Sequence, residues 1–228
     1  MDVYRMLADM ALELEQHCTP QQVLEKISAY ACIVLKADDA GILLVHSRRE
    51  IETAVETSPT VDEAHKLQVV LDEGPCLDAI DGKATYWSND VAHDDRWPLW
   101  GPAASKIGIN SAIGCRLGTR TRSYGSLNVY AKRVDAFVPD DVNIVEMLAA
   151  HATAAYAAAH REVGLASALE NRSIIGQAQG ILMQKFDIDA DTAFTFLQRI
   201  SQHENVRLFA VAEAIAVQRD ANARPKSD

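Results

Sequence analysis

The chain has 228 residues, 48% of them apolar, with 32 Asp and Glu against 22 Lys and Arg for a net charge of -10. That provides core material for one ordinary domain plus a smaller appendage, and its acidity excludes a protein that grips nucleic acid through a broad basic footprint. The balance is uneven: residues 1–160 hold 14 basic and 23 acidic side chains, residues 161–228 hold 8 and 9, so any nucleic-acid contact must be local.

Val3, Leu7, Met10, Ala11 and Leu14 recur at helical spacing, and Thr19-Pro20-Gln21-Gln22 announces a second helix. There Thr19 caps, Pro20 fits the first position and Gln22 completes a capping box. The β-rich runs Gly41–His46 and Ile51–Thr57 flank the polar Ser47-Arg48-Arg49-Glu50, the pattern of a hairpin. A further capped helix begins at Thr60-Val61-Asp62-Glu63 and ends near Glu73-Gly74-Pro75, and a short helix through Leu77 and Ile80 leads to a strand at Ala84–Trp87. Asp94-Asp95-Arg96-Trp97-Pro98 leads into a helix to about Ile107, with Asp90 and Asp95 as caps for the helix that contains Trp97. Strands at Asn110–Leu117 and Tyr124–Ala131, joined by Gly118–Ser123, complete an antiparallel sheet.

From Pro139 the pattern is helical to about Phe186, weakened only at Gly164, Gly176 and Gly180. Leu165, Leu169, Arg172, Gly176, Leu182 and Phe186 sit at spacings that suit a seam against a second copy, so a parallel homodimer through the long helix is expected. Asp189 caps a helix over Ala190–Gln202 and Asn205 caps another over Val206–Gln218. Ala193, Leu197 and Ile200 face Leu208, Val211, Ala212 and Ile215 on one side and Ile181 and Phe186 on the other, which predicts a three-helix module. The spacing of Phe186, Phe194, Phe196 and Phe209 assigns them to its core rather than to stacking on bases. The fold class is α+β: a sheet domain flanked by helices, a long helix or coiled coil, then an all-α module.

Cys18, Cys32, Cys76 and Cys115 form neither a CxxC motif nor a disulfide framework. The longest apolar stretch, Leu148–Ala159, is short of the roughly 20 residues needed to cross a bilayer and is interrupted by His151 and Thr153. A soluble, cytoplasmic protein with no membrane partner is expected. No phosphate-binding glycine loop, GxSxG or HExxH is present, and His93 with Asp94 and Asp95 is too small a cluster for a metal, so neither an enzyme nor a metalloprotein is expected.

Two resemblances follow from particular residues. The run Arg172–Met183, RSIIGQAQGILM, then Asp191-Thr192-Ala193-Phe194 with Leu197, then Asn205, Leu208 and Val211-Ala212, resembles the ANTAR domain over roughly 162–218. Many members carry Lys where this chain has Gln179, so phosphate contact there is weakened if that lysine makes one. Upstream, DEGPCLDAI at Asp72–Ile80, DVAHDDRWP at Asp90–Pro98 and YGSLNVY at Tyr124–Tyr130 resemble the GAF domains that precede ANTAR modules, over about 20–160. The implied organisation is an N-terminal helix at 1–19, a GAF sensor at 20–160, an ANTAR module at 161–220 and a disordered tail at 221–228.

The resemblance implies a transcription antiterminator that binds tandem hairpins in nascent RNA under control of the sensor. Protein reading of RNA by sequence targets loops, for which a small polar helical face suffices. Arg172, Ser173, Gly176, Gln177, Gln179, Gly180 and Gln184 supply that face, with Arg199, Ser201 and Arg207 as phosphate contacts; against this, Gly176, Ala178 and Gly180 also suit tight helix packing. Cys76, Tyr86, Trp87, Trp97 and Cys115 are the ligand-pocket candidates of the sensor, with Trp100 beside them, although the same residues serve equally as core. No cofactor is identified; GAF pockets accept cyclic nucleotides, tetrapyrroles and small metabolites. Two other readings stand beside this one: a methionine sulfoxide reductase using Cys76 and Cys115, and a dimeric protein-interaction regulator without RNA.

Overall fold

The computed structural model describes residues 3–15, 18–46, 50–82 and 84–223, and the chain divides into two compact units, 1–160 and 161–228. The expected hairpin connection at 47–49 and the tail from 224 lie outside the described residues; 221–223 belong to the last helix.

In the first unit, α1 (Val3–Glu15) and α2 (Pro20–Leu35) precede β1 (Asp39–Val45), β2 (Ile51–Glu56), α3 (Pro59–Leu71), α4 (Pro75–Gly82) and β3 (Thr85–Ser88). A 3-10 turn at Val91–His93, α5 (Trp100–Lys106), β4 (Ser111–Gly118), β5 (Ser123–Ala131) and the start of α6 (Pro139–Phe186) complete it. The strands pair antiparallel in the order β2-β1-β5-β4-β3. Side chains alternate across a strand, so Ile42, Leu44, Ile113, Cys115, Leu117, Leu127 and Val129 face one layer. There they pack with Leu7, Met10 and Leu14 of α1, the buried stripe of α2 from Val23 to Leu35, and Val145 to Ala152 of α6. Leu43, Ala112 and Tyr130 face the other layer with Val61, Ala64, Cys76, Trp97, Trp100 and Ala104. Both faces are covered, which is why β1 reads as a continuous apolar run rather than an alternation.

The Thr19 cap forms as expected: its hydroxyl accepts from the Gln22 N–H, and the Gln22 amide accepts from the Thr19 N–H. Two expected helix starts move. α3 begins at Pro59 after Ser58, because proline's fixed φ suits the first helical position, which leaves Thr60 inside the helix. Trp97 precedes α5 instead of lying within a helix capped by Asp90 or Asp95; its backbone is held by Asp94, and the first N–H groups of α5 find a distant acceptor. Glu73 Oε2 accepts from the Leu99 and Trp100 N–H groups at 2.8 and 3.0 Å, satisfying donors that have no partner within the helix.

The second unit holds the later part of α6, α7 (Ala190–Glu204) and α8 (Leu208–Ala223), with Ala178, Leu182, Ala193, Leu197, Val211 and Ala212 as its buried core. Asp189 caps α7 by accepting from the Thr192 N–H at 2.7 Å. Asn205 is not the N-cap of α8: it closes α7 in the left-handed conformation at φ 52°, which asparagine tolerates, and donates its N–H to the Ser201 carbonyl. Leu182 is buried in this core, so it is unavailable to an intermolecular seam; Met183 takes its place on the exposed side of α6. The expected phenylalanine core is also corrected. None of Phe186, Phe194, Phe196 and Phe209 belongs to the core cluster, and Phe186 and Phe196 are exposed, because the small Ala178, Ala193 and Ala212 bring the helices together around Leu182 and Leu197.

Candidate functional site

On the second-layer face of the sheet, a polar cluster is built into an otherwise apolar interior. His65 and Gln68, one turn apart on α3, are both buried, and they meet Asn128 and Tyr130, which alternate with Leu127 and Val129 along β5. His65 Nδ1 lies 3.3 Å from Thr53 Oγ1 and Nε2 lies 3.2 Å from Asn128 Nδ2, which also donates to the Ser126 carbonyl. An amide donor on Nε2 requires that nitrogen to accept, so the ring is neutral with its proton on Nδ1. Burial holds His65 in that state, lowering its pKa to about 3.

Gln68 accepts from the Cys76 N–H at 2.9 Å and donates to Cys76 Sγ at 2.7 Å and to Tyr130 Oη at 3.3 Å. Cys76 Sγ and Tyr130 Oη are 3.2 Å apart. Desolvation pushes the Cys76 thiol up to about 12 and the Tyr130 phenol well above its ordinary value, so both keep their protons. Ser126 Oγ and Asn128 Oδ1 are buried without a partner.

Beside this cluster a cleft of about 360 Å³ opens between the β1–β2 hairpin and α3. Leu43, Ile51, Thr53, His65, Val69 and Val70 line it, together with the Asp62–Lys66 ion pair. An apolar wall with a few placed polar groups is the composition of a small-molecule site.

Next to α4, Trp97 and Trp100 pack edge to face with centroids 5.7 Å apart, and Trp97 Nε1 donates to Asp78 at 2.8 Å. Arg96 stacks over Trp97 and grips Asp94 with two nitrogens, which lowers the Asp94 pKa to about 2.

The other candidate surface is the later part of α6. At 3.6 residues per turn, Ser173, Gly176, Gln177, Gly180 and Gln184 lie on the side away from buried Ala178 and Leu182, and all five are exposed. A Cβ built on Gly176 or Gly180 meets nothing within 4 Å among the described residues.

A family model for the ANTAR domain matches residues 164–215, and one for the GAF domain matches 19–157. The chain belongs to the GAF–ANTAR family. GAF domains are signal-sensing modules and ANTAR domains are RNA-binding antitermination modules. No curated protein sequence matches the chain.

Among solved structures, the GAF domain resembles the GAF domain of an Acinetobacter phosphoenolpyruvate-protein phosphotransferase at 16% identity and TM-score 0.55, covering 69% of this chain and 94% of that one. It also resembles free methionine-R-sulfoxide reductase from Neisseria meningitidis at 15% identity and TM-score 0.53, over 70% and 91%. The enzyme fRMsr of Staphylococcus aureus matches at 15% and TM-score 0.52, over 68% and 95%. At these identities the likeness concerns the fold.

The five expected pocket residues of the GAF domain do not converge. Cys76 and Trp97 are buried in the second layer with Tyr86 against it, whereas Cys115 and Trp87 pack in the first. Burial raises the Cys115 thiol to about 11, so Cys76 and Cys115, on opposite faces of the sheet, form no dithiol pair. Iodoacetamide near neutral pH is therefore expected to leave both thiols unmodified in the native protein and to label them on unfolding, as read by peptide mass spectrometry; rapid native labelling of Cys76 would show that α4 opens. Thr53, His65, Asn128 and Gln68 were missed in the sequence. The available signal was a His and a Gln on the buried stripe of α3 and polar residues alternating with Leu127 and Val129.

In the ANTAR domain, Arg172, Arg199 and Arg207 are exposed. Gln179 donates to the Ala190 carbonyl at 3.2 Å and Ser201 to the Val206 carbonyl at 2.6 Å, so both also hold the module's loops. Ala178 is buried, as tight packing requires, but Gly176 and Gly180 play no such part among the described residues. No helix among the described residues is long and apolar enough to cross a membrane.

Proposed function

We propose that this chain is a signal-responsive transcription antiterminator, in which residues 161–220 bind hairpin loops of nascent RNA and residues 20–160 sense the signal. The observation that carries the reading is the pair of exposed glycines on α6. Each glycine weakens a helix interior by roughly 1 kcal/mol relative to alanine, and neither is explained by packing inside the module. Bare backbone on an exposed helix suits the close approach of a partner, and Ser173, Gln177 and Gln184 around Gly180 supply neutral hydrogen-bonding groups to base edges. Arg172, Arg199 and Arg207 supply phosphate contacts, and Gln179 adds an amide where a lysine is common.

Leu165 and Leu169, 68% and 71% exposed, continue as a stripe through Arg172 and Gly176 in steps of four, three and four residues, and Met183 follows one heptad after Gly176. A homodimer along that stripe presents two RNA surfaces and gains effective concentration on tandem hairpins. The cleft beside His65 is the ligand site of the sensor, and the protein acts in the cytoplasm where RNA is transcribed.

Crosslinking in the native cell followed by RNA sequencing tests this reading, with hairpin pairs upstream of terminators as the expected recovery; no enrichment over an untagged control would refute it. Gly180→Leu is expected to keep the helix and the dimer while reducing affinity for the recovered RNA at least about ten-fold. Unchanged affinity would remove Gly180 from the interface.

A further inference from the structure

We infer that Phe186 and Phe196 form a stacking platform for an unpaired RNA base, an inference that rests on the RNA-binding reading above. Helical spacing predicts both rings in the core, yet the core closes without them, and they stand 53% and 43% exposed. Their centroids are 6.1 Å apart at an interplanar angle of 41°, so each ring restricts the other although neither is buried. Two large aromatic side chains held outside a core that does not need them mark a binding surface.

Size and charge identify the occupant. The patch consists of two rings, far less than the roughly 800 Å² per partner of a stable protein interface, but one ring face matches one base. Phe186 follows Met183 by one turn of α6, at the end of the stripe expected to meet the second copy, but its ring leans on Phe196 of α7, which lies outside that stripe. It also lies two turns beyond Gln179 on the same side of the helix. Lys185 places its ammonium 5.5 Å from the Phe186 centroid, and Arg199 follows Phe196 by one turn on the same side of α7. These cations are offset by Asp187, Asp189 and Asp191 nearby in the chain, although the Asp189 carboxylate is occupied as the cap of α7. With 8 basic and 9 acidic residues in 161–228, the module has little phosphate attraction to draw on. Its affinity must come from contacts indifferent to charge, and base–aromatic stacking is such a contact, worth on the order of ten-fold in affinity per base.

The test uses the full chain and, as probe, the RNA fragment most enriched by ultraviolet crosslinking to it in its own cells. Phe186→Leu with Phe196→Leu retains apolar bulk and removes both rings. The expected result is at least about ten-fold weaker binding with unchanged helicity and unchanged mass by light scattering, while Phe196→Tyr stays within about three-fold of wild type. A nucleotide adduct mapped to the peptide carrying Phe186 or Phe196 supports the same conclusion. Affinity within about two-fold of wild type in the double variant overturns the platform and leaves the RNA-binding reading intact. A change in mass with unchanged RNA affinity also overturns it, and assigns the rings to contact between copies. If the wild-type chain recovers no RNA, the functional reading itself falls and the platform falls with it.

Discussion

Acidification from about pH 7.5 to about pH 4.5 is expected to destabilise the GAF domain of the wild-type chain by about 3 kcal/mol more than it destabilises His65→Gln. His65 has a folded pKa of about 3, which burial holds far below the 6.5 of an exposed imidazole. Between those two values the unfolded chain binds a proton that the folded chain does not, so stability is retained above the upper value and falls as the pH drops towards the lower one. Each pH unit inside that window costs about 1.4 kcal/mol, and the last two of the three units lie inside it. Glutamine at the same place still reaches towards Thr53 and Asn128 but has no proton to gain. The Asp94–Arg96 pair does not confuse the reading, because its carboxylate pKa is lowered to about 2 and its contribution fades only below the window. Trp87, Trp97 and Trp100 all lie in the GAF domain, so tryptophan fluorescence during urea unfolding follows that domain alone. Parallel pH profiles for the two proteins would show that His65 is protonated or solvated in the folded state.

The same histidine shows where the sequence stops being legible. Local signals are legible: the Thr19–Gln22 capping box, the Asp189 cap, the strands β4 and β5 with the polar loop between them, and the helix from Pro139 to Phe186 all depend on residues near each other in the chain. What failed depended on partners far along the chain. The donors at the start of α5 are satisfied by Glu73, 26 positions before Leu99, so nearby Asp90 and Asp95 were credited instead. His65 and Gln68 find partners in β5, 63 and 62 positions away, and without those partners they look like interruptions of an apolar stripe. In the ANTAR domain the polar face of α6 could be named from its motif, but periodicity cannot tell a phenylalanine at the edge of a core from one inside it. Nor does a glycine announce whether anything stands over it. Three alanines close the core and leave Phe186 and Phe196 outside, a result of interhelical distance rather than of pattern.

Glycines in the two domains should therefore respond in opposite directions, and Gly114→Val against Gly176→Ala makes the contrast measurable. At Gly114 an added Cβ would stand 2.4 Å from the Pro75 carbonyl oxygen, 2.5 Å from its carbon and 3.0 Å from the Cys76 nitrogen, all backbone atoms of the first turn of α4. Backbone cannot rotate away as a flexible side chain can, so α4 must lift from β4, and Gln68 then loses the Cys76 N–H and Sγ that complete its hydrogen bonds. The overlap and the broken buried network together are expected to cost more than about 3 kcal/mol, a large share of the roughly 5–15 kcal/mol by which a domain is stable. The tryptophan transition should move to much lower urea while helical ellipticity from the ANTAR domain persists to higher concentration. Gly176→Ala, with open space around the new methyl group, should instead raise the stability of its helix by up to about 1 kcal/mol. A Gly114→Val protein that unfolds with wild-type tryptophan fluorescence would mean that α4 does not rest on β4. A destabilised Gly176→Ala protein would mean that α6 is closely packed at that position, and the surface assigned to RNA and to the second copy would then be occupied within the chain itself.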